Sequence, residues 1–428
     1  MSEAFLHYLW QFQYFDKHEL QTSSGDTIQI FNPGIRNTHA GPDFQNARMK
    51  IGGMEWIGSA EIHIHASGWM EHKHNLDPAY ENVVLHVVWH NDMAITRHDG
   101  TLLPTLELMN RVDEKYFLDY QRLVNSPEKI PCAQFLPHVE DIVRLSMMEK
   151  VVLDRLESKC HRILDMLKKN RDDWEETCYQ LLARSFGYKI NADPFEQLAR
   201  LLPYKVIRKH SDSLLHVEAL LFGQAGFLEE DLDGDYYRLL RREYNLLRQK
   251  FKLSDRRLNK AQWKFLRLRP ANFPTIRLAE FAALLYYKPS LFSTILETEA
   301  YQDLEALFSV KQSEFWTEHY TFSKNAKETV KGLGFSSIAT IIINAVIPLL
   351  VAYGKSRNDQ NYVDRAITIL QHTPGESNTI IAQWKELGIR SKSAFDSQAL
   401  IELQNNYCGK RRCLECNIGV SLLNPRSQ

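Results

Sequence analysis

Apolar and polar residues alternate with period two through much of the first hundred positions and switch to a helical period over most of the rest. Asn46 to Ile51, a Gly52-Gly53 pair and Met54 to His65 predict a β-hairpin, because two glycines between alternating runs supply the positive φ that a tight turn needs. On the second strand Glu61, His63 and His65 share one face, and Ala60, Ile62 and Ile64 take the other. Thr27 to Phe31 predicts a strand stopped by Asn32-Pro33-Gly34. Val83 to Trp89, β-branched and almost wholly apolar, predicts a strand buried on both faces, with His86 and His90 on one side. Leu102 to Leu108 predicts another strand after an Asp99-Gly100 turn. Residues 2–15 predict a helix, capped by Ser2, with Phe5, Leu9, Phe12 and Phe15 on one side.

From about residue 140 the pattern is helical. Helices are predicted over Val143–Leu167, Trp174–Phe186, Pro194–Leu202, Ser211–Phe222, Tyr236–Phe251, Leu278–Tyr287, Asp303–Phe308 and Ser336–Ala352. Asn191 to Pro194 and Arg269 to Pro274 are breakers. The expected fold class is therefore α+β. A small mixed sheet with flanking helices occupies residues 1–112, followed by a linker over 113–139, a larger helical domain over 140–400 and a cysteine knuckle over 401–428.

Length and charge narrow the function only slightly. A chain of 428 residues can bury a large core, and a formal charge of −1 gives no global attraction to polyanions. Six cysteines, three of them bunched near the end, do not form the pattern of a secreted disulfide framework. The first ten residues lack a basic segment followed by an unbroken apolar core. The most apolar stretch, 338–352, spans only fifteen residues with Thr340, Asn344 and Pro348 inside it. A cytoplasmic protein with no membrane partner is the expectation.

The candidate chemistry starts from Gly41-Pro42-Asp43-Phe44 and Glu61-Ile62-His63-Ile64-His65. Strand pairing brings Asp43 toward Glu61, and two carboxylates that meet repel unless a cation lies between them; oxygen ligands suit Mg²⁺ or Mn²⁺. This arrangement resembles the PD-(D/E)xK nuclease superfamily, with His63 standing where that superfamily has Lys. Four blocks also resemble a bacterial family of unknown function across nearly the whole chain. They are the Gly41 to Phe44 turn, the Glu61 to His65 strand, Asp77-Pro78-x-Tyr80-x-Asn82-Val83-x-Leu85-His86-Val87-Val88-Trp89, and the terminal cysteines. The nuclease resemblance implies a restriction-endonuclease-like sheet on which Asp43 and Glu61 bind Mg²⁺ or Mn²⁺. His63 then assists the attacking water, and a phosphodiester bond, expected to be in DNA, is cleaved. Because His63 is mostly neutral near pH 7, it replaces the charge of a lysine only in part. Two alternatives stand beside this: a non-catalytic nucleic-acid-binding or scaffold protein that kept the fold, and a zinc hydrolase using His63-x-His65. Seven of sixteen histidines fall between residues 63 and 98.

Two further clusters carry chemistry. Cys408-x4-Cys413-x2-Cys416 has the spacing of metal thiolates, and Lys410, Arg411 and Arg412 favour the thiolate form. Zinc needs a fourth ligand, for which Cys132 and His372 are candidates, and an iron–sulfur cluster needs a fourth thiolate. Residues 241–277 hold twelve basic side chains against two acidic ones, with Tyr244, Phe251, Trp263 and Phe265 interleaved. Arg256, Arg257, Lys260, Lys264 and Arg267 are the expected contacts to DNA or RNA, by charge and by base stacking.

Overall fold

The computed structural model describes residues 1–253 and 257–424. It divides into two compact units, one made of Met1–Met147 with Asn405–Gln428 and the other of Met148–Gln404. The C-terminal cysteine segment thus folds as part of the strand-bearing unit.

The fold is α+β, as the alternation of periods implies. In the first unit α1 (Glu3–Phe12) starts at Ser2, whose hydroxyl accepts the Phe5 amide at 3.4 Å. The helix ends short of Phe15 because Gln13 adopts a left-handed φ of 56° and its amide caps the carbonyls of Leu9 and Trp10. β1 (Ile28–Asn32), β2 (Ile35–Arg36), β3 (Phe44–Ile51) and β4 (Met54–His65) follow. The β3–β4 hairpin turns at Gly52 and Gly53, with φ of 56° and 86°. Next come the short helix α2 (Gly68–Glu71), β5 (Val83–His90), β6 (Thr105–Glu107) and α3 (Glu114–Val124).

These strands form one six-stranded mixed sheet in the order β1-β3-β4-β5-β6, with β2 also paired to β3. β3 and β4 run antiparallel, whereas β4–β5 and β5–β6 are parallel, so the chain must cross over between them. Residues 66–82 make the first of those crossovers. β5 is buried along its first six residues, as its apolar composition requires. Trp69, Val83, Val88, Ile95 and Leu103 close a core beside it, with Tyr80 packed against them.

α4 (Asp141–Lys169) carries the chain from the first unit into the second, whose described residues are helical apart from a two-stranded hairpin, β7 (His319–Thr321) with β8 (Lys324–Asn325). α5 (Trp174–Phe186), α6 (Ala192–Leu201), α7 (Tyr204–Arg208), α8 (Leu214–Gln224), α9 (Asp235–Lys250) and α10 (Pro274–Tyr287) match the helical periodicity. Pro194, expected to break the chain, instead lies in the first turn of α6, where its missing N–H leaves no bond unmade. The apolar stretch belongs to a continuous 23-residue helical run, Phe335–Arg357, which is long and apolar enough to cross a bilayer. Its most apolar part is 72% buried within the second unit, with Ile341, Ile342, Val346, Ile347 and Leu350 fully enclosed. A π-helical turn over Ile342–Val346 precedes Pro348 and absorbs the bond that proline cannot make.

Candidate functional site

Asp43 ends the loop that leads into β3, and Glu61 lies on β4. Antiparallel pairing places Phe44 opposite Ala60, which brings the two carboxyl groups to one end of the hairpin. The Asp43 amide donates to Glu61 Oε2 at 3.0 Å, and the Ile62 amide donates to Asp43 Oδ2 at 3.1 Å. Both carboxyls are thereby fixed by backbone groups; Glu61 keeps Oε1 for another partner, while Asp43 Oδ2 faces a side chain as well as the Ile62 amide.

Those partners are imidazoles. On β4, His63 follows Glu61 on the same face and is 2% exposed. Its Nδ1 lies 2.9 Å from His86 Nε2 on β5, and its Nε2 lies 3.2 Å from His72 Nδ1. The crossover over 66–82 returns His72 and His74 to this face, and His74 Nε2 lies 3.3 Å from Glu61 Oε1. The approach depends on Gly68, since a Cβ there would come within 2.9 Å of the His63 ring. From α1, His7 Nε2 reaches to 3.1 Å from Asp43 Oδ2. His63, His72 and His74 present ligand atoms within 4.8 Å of one another.

The electrostatics follow from burial. Desolvation, followed by repulsion from Asp43, raises the Glu61 carboxyl to about 8, so it holds its proton at neutral pH. Desolvation and the neighbouring imidazoles lower His63 to about 3, and desolvation lowers His86 to about 3, so both rings stay neutral. His74 is lowered by burial and by His72. Tyr80 stacks on His74 at 3.8 Å between ring centroids, and its hydroxyl is raised to about 12 by burial and by Glu61 and Asp43. A cleft of about 420 Å³ opens beside His74, lined by Trp69, Asn75, Tyr80, Arg97, His98 and Asp99 among others.

The contact geometry itself points to a cation. His7 Nε2 and His74 Nε2 each sit within 3.3 Å of a carboxylate oxygen and yet make no hydrogen bond. Ligands bonded at about 2.1 Å to one cation stand about 3 Å apart along an octahedral edge. The separate pairs His7–Asp43 at 3.1 Å, His63–His72 at 3.2 Å and His74–Glu61 at 3.3 Å are near that value, and the ligand atoms of His63, His72 and His74 alone lie within 4.8 Å of one another. His63, His72 and His74 could hold a divalent ion, with Glu61 beside His74, and imidazole donors suit manganese, iron or zinc better than magnesium.

The predicted site residues thus divide. Asp43, Glu61 and His63 come together. His65, on the same face, is exposed at the strand's end with its ring 6.0 Å from that of His90, and His90 contacts Glu107 at 3.1 Å, so the His63-x-His65 pair does not converge. His7 was not anticipated; its only trace in the sequence is a histidine in the otherwise apolar helix from Phe5 to Trp10.

The basic segment differs from expectation. Arg256 lies outside the described residues. Arg257 pairs with Glu229 and Lys260 with Glu230, acids contributed by the preceding loop, while Lys264 and Arg267 are exposed. Tyr244 and Trp263 are buried, the Trp263 indole donating to the Ala225 carbonyl at 2.9 Å, so neither presents a face for base stacking. Cys408, Cys413 and Cys416 are buried in the first unit, and His372, in the second, has its Nδ1 2.8 Å from the Thr368 carbonyl.

Compared with known proteins, residues 3–379 match a family model described as a protein of unknown function (DUF2851). No curated protein and no solved structure matches the chain.

Proposed function

We propose, for a chain that belongs to the DUF2851 family of proteins of unknown function, cation-dependent hydrolysis of a phosphodiester bond at the Asp43, Glu61 and His63 site. The observation that carries this reading is the approach of His7 Nε2 to Asp43 at 3.1 Å and of His74 Nε2 to Glu61 at 3.3 Å, both without hydrogen bonds, beside the clustered His63, His72 and His74. The PD-(D/E)xK resemblance of the same hairpin suggests the phosphodiester substrate, with DNA the first to test.

A bound divalent ion would polarise the scissile phosphate and lower the pKa of a coordinated water. The chain's own contribution is positional. Asp43 and Glu61 are held by the Ile62 and Asp43 amides, so neither must reorganise when the ion arrives. His63 Nδ1 shares a hydrogen bond with His86 Nε2; in the tautomer with the proton on Nδ1, the Nε2 lone pair faces His72 and Glu61. Being neutral, it can accept a proton or ligate, but it cannot offset phosphate charge as a lysine does. Arg97, on the wall of the adjoining cleft, is a candidate cation for that purpose; it is anchored to the Val83 carbonyl at 3.1 Å.

The imidazole content favours a second form of the same reading, in which zinc or manganese rather than magnesium supports the chemistry. Purified full-length protein, stripped of metal, would be assayed on single- and double-stranded DNA and RNA with Mn²⁺, Zn²⁺ and Mg²⁺. Cleavage expected with Mn²⁺ or Zn²⁺ should disappear in Asp43→Asn. If no nucleic acid is cut with any of the three ions, the hydrolytic reading is wrong and a binding role takes its place.

A further inference from the structure

Four of the chain's six cysteines meet in the first unit, although Cys132 stands some 276 residues before Cys408 in sequence. Each is between 7% and 8% exposed, and no disulfide joins them. Cys132 lies within electrostatic reach of Cys413 and Cys416, and Cys408 within reach of all three others. The remaining two, Cys160 and Cys178, sit apart on α4 and α5.

The surrounding structure holds the four together. Arg411 donates from Nη1 to the Glu128 carbonyl at 2.9 Å and from Nη2 to the Ser126 carbonyl at 2.7 Å, tying the knuckle to the segment that leads into Cys132. Past Cys416, Asn417 donates its side-chain amide to Ser146 Oγ at 3.1 Å and its backbone N–H to Met147 Sδ at 3.2 Å. The closing helix Asn417–Leu422 presses so closely on the turn at Cys413 that a Cβ on Gly419 would come 2.1 Å from the Cys413 carbonyl. Between Cys408 and Cys413 the backbone reverses through Arg411 at a φ of 54°, and it turns again through a 3-10 segment, Cys413–Glu415.

Packing alone does not account for this. A thiol fills less volume than Leu or Ile, so four buried near one another make a weaker core than aliphatic side chains would. The chain is cysteine-poor, and the spacing of four and two residues between the C-terminal three is that of thiolate ligands. The Arg411 guanidinium, which also reaches the Cys408 carbonyl, supplies part of the positive charge that a tetrathiolate centre requires.

We propose that Cys132, Cys408, Cys413 and Cys416 ligate one metal centre, a zinc ion or an iron–sulfur cluster, that fastens the C-terminal segment to the strand-bearing unit. The centre is separate in ligand chemistry from the imidazole and carboxylate site, and it stands whether or not that site is hydrolytic. Its role is structural, because all four positions are filled by the chain.

X-ray absorption on the full chain as purified tests this without any variant. A shell of four sulfurs around zinc or iron is expected, with acid-labile sulfide and absorption near the visible edge if the metal is iron. No bound zinc or iron, or a shell of nitrogen and oxygen only, would overturn the proposal. Cys132→Ser should then lose this metal while Cys178→Ser keeps it, as measured by elemental analysis of folded protein. Full retention in Cys132→Ser would remove Cys132 from the ligand set and sink the four-ligand centre.

Discussion

Asp43 and Glu61 are cross-linked through the backbone: Glu61 Oε2 accepts the Asp43 amide at 3.0 Å, while Asp43 Oδ2 accepts the amide of Ile62, the residue after Glu61, at 3.1 Å. This reciprocal arrangement holds two carboxyls together in a site that raises Glu61 to about 8. Repulsion is avoided by a proton when no cation is present, and a cation would displace that proton.

A pH dependence of cation binding follows. Below about pH 8 each bound ion must release the Glu61 proton, so Mn²⁺ affinity should rise roughly tenfold per pH unit between pH 6 and 8 and level off above. Stability of the cation-free protein runs the other way. The folded pKa of Glu61 lies above its ordinary 4.5, so the native state binds the extra proton between the two values. Stability is therefore lost as pH rises from about 4.5 to 8. Glu61→Gln should abolish both trends, weaken Mn²⁺ binding at least a hundredfold and leave the melting temperature at pH 8 unchanged or higher. Calorimetric titrations and thermal melts at three pH values would check all of these.

His7 separates a cation site from a hydrogen-bonded polar cluster. Its Nε2 lies 3.1 Å from Asp43 Oδ2 without hydrogen-bond geometry. His7→Ala should lower Mn²⁺ or Zn²⁺ affinity about 10- to 100-fold, a loss typical of removing one ligand or its direct support. His65→Ala, at the exposed end of β4, should change it less than twofold. Equal effects from the two substitutions, measured by competition with a chromogenic chelator, would show that His7 is no ligand.

What could be read from sequence was local. The Gly52-Gly53 turn and the period-two alternation on β4 placed Glu61 and His63 on one face and Asp43 nearby, because strand geometry fixes those relations within twenty residues. His72 and His74 were visible as part of a histidine-rich stretch, but their return to the sheet depends on a parallel crossover whose path no spacing encodes. His7 reaches the site only because α1 packs on β4. The internal pairing within the basic segment was hidden for a related reason. Charge counts do not show that Glu229 and Glu230 fold back onto Arg257 and Lys260, and aromatic residues at helical spacing serve a core as readily as a base.

In the helical unit, Arg277 and Glu280 form an ion pair at 2.7 Å with both side chains at most 6% exposed. Burial raises Glu280 to about 7 even though Arg277 opposes the shift. Removing one partner strands the other, so Glu280→Ala should destabilise this unit by roughly 3–5 kcal/mol. Replacing both, as Arg277→Met with Glu280→Leu, should recover most of that loss. Urea unfolding followed by far-ultraviolet circular dichroism would show the single variant unfolding well before the double.

The basic segment yields its own test of nucleic-acid contact. If DNA is bound there, the exposed side chains Lys264 and Arg267 must carry the interaction, since Arg257 and Lys260 already face carboxylates. Each phosphate contact contributes roughly 0.9 to the slope of log K against log salt. Lys264→Glu with Arg267→Glu should therefore reduce that slope by about 1.8 and weaken binding at low salt. Arg257→Gln with Lys260→Gln should alter it far less, because those cations are neutralised within the fold. Fluorescence anisotropy with a labelled oligonucleotide across a salt series measures both slopes. If the two double variants behave alike, the segment is a solvated surface and any nucleic acid is held elsewhere.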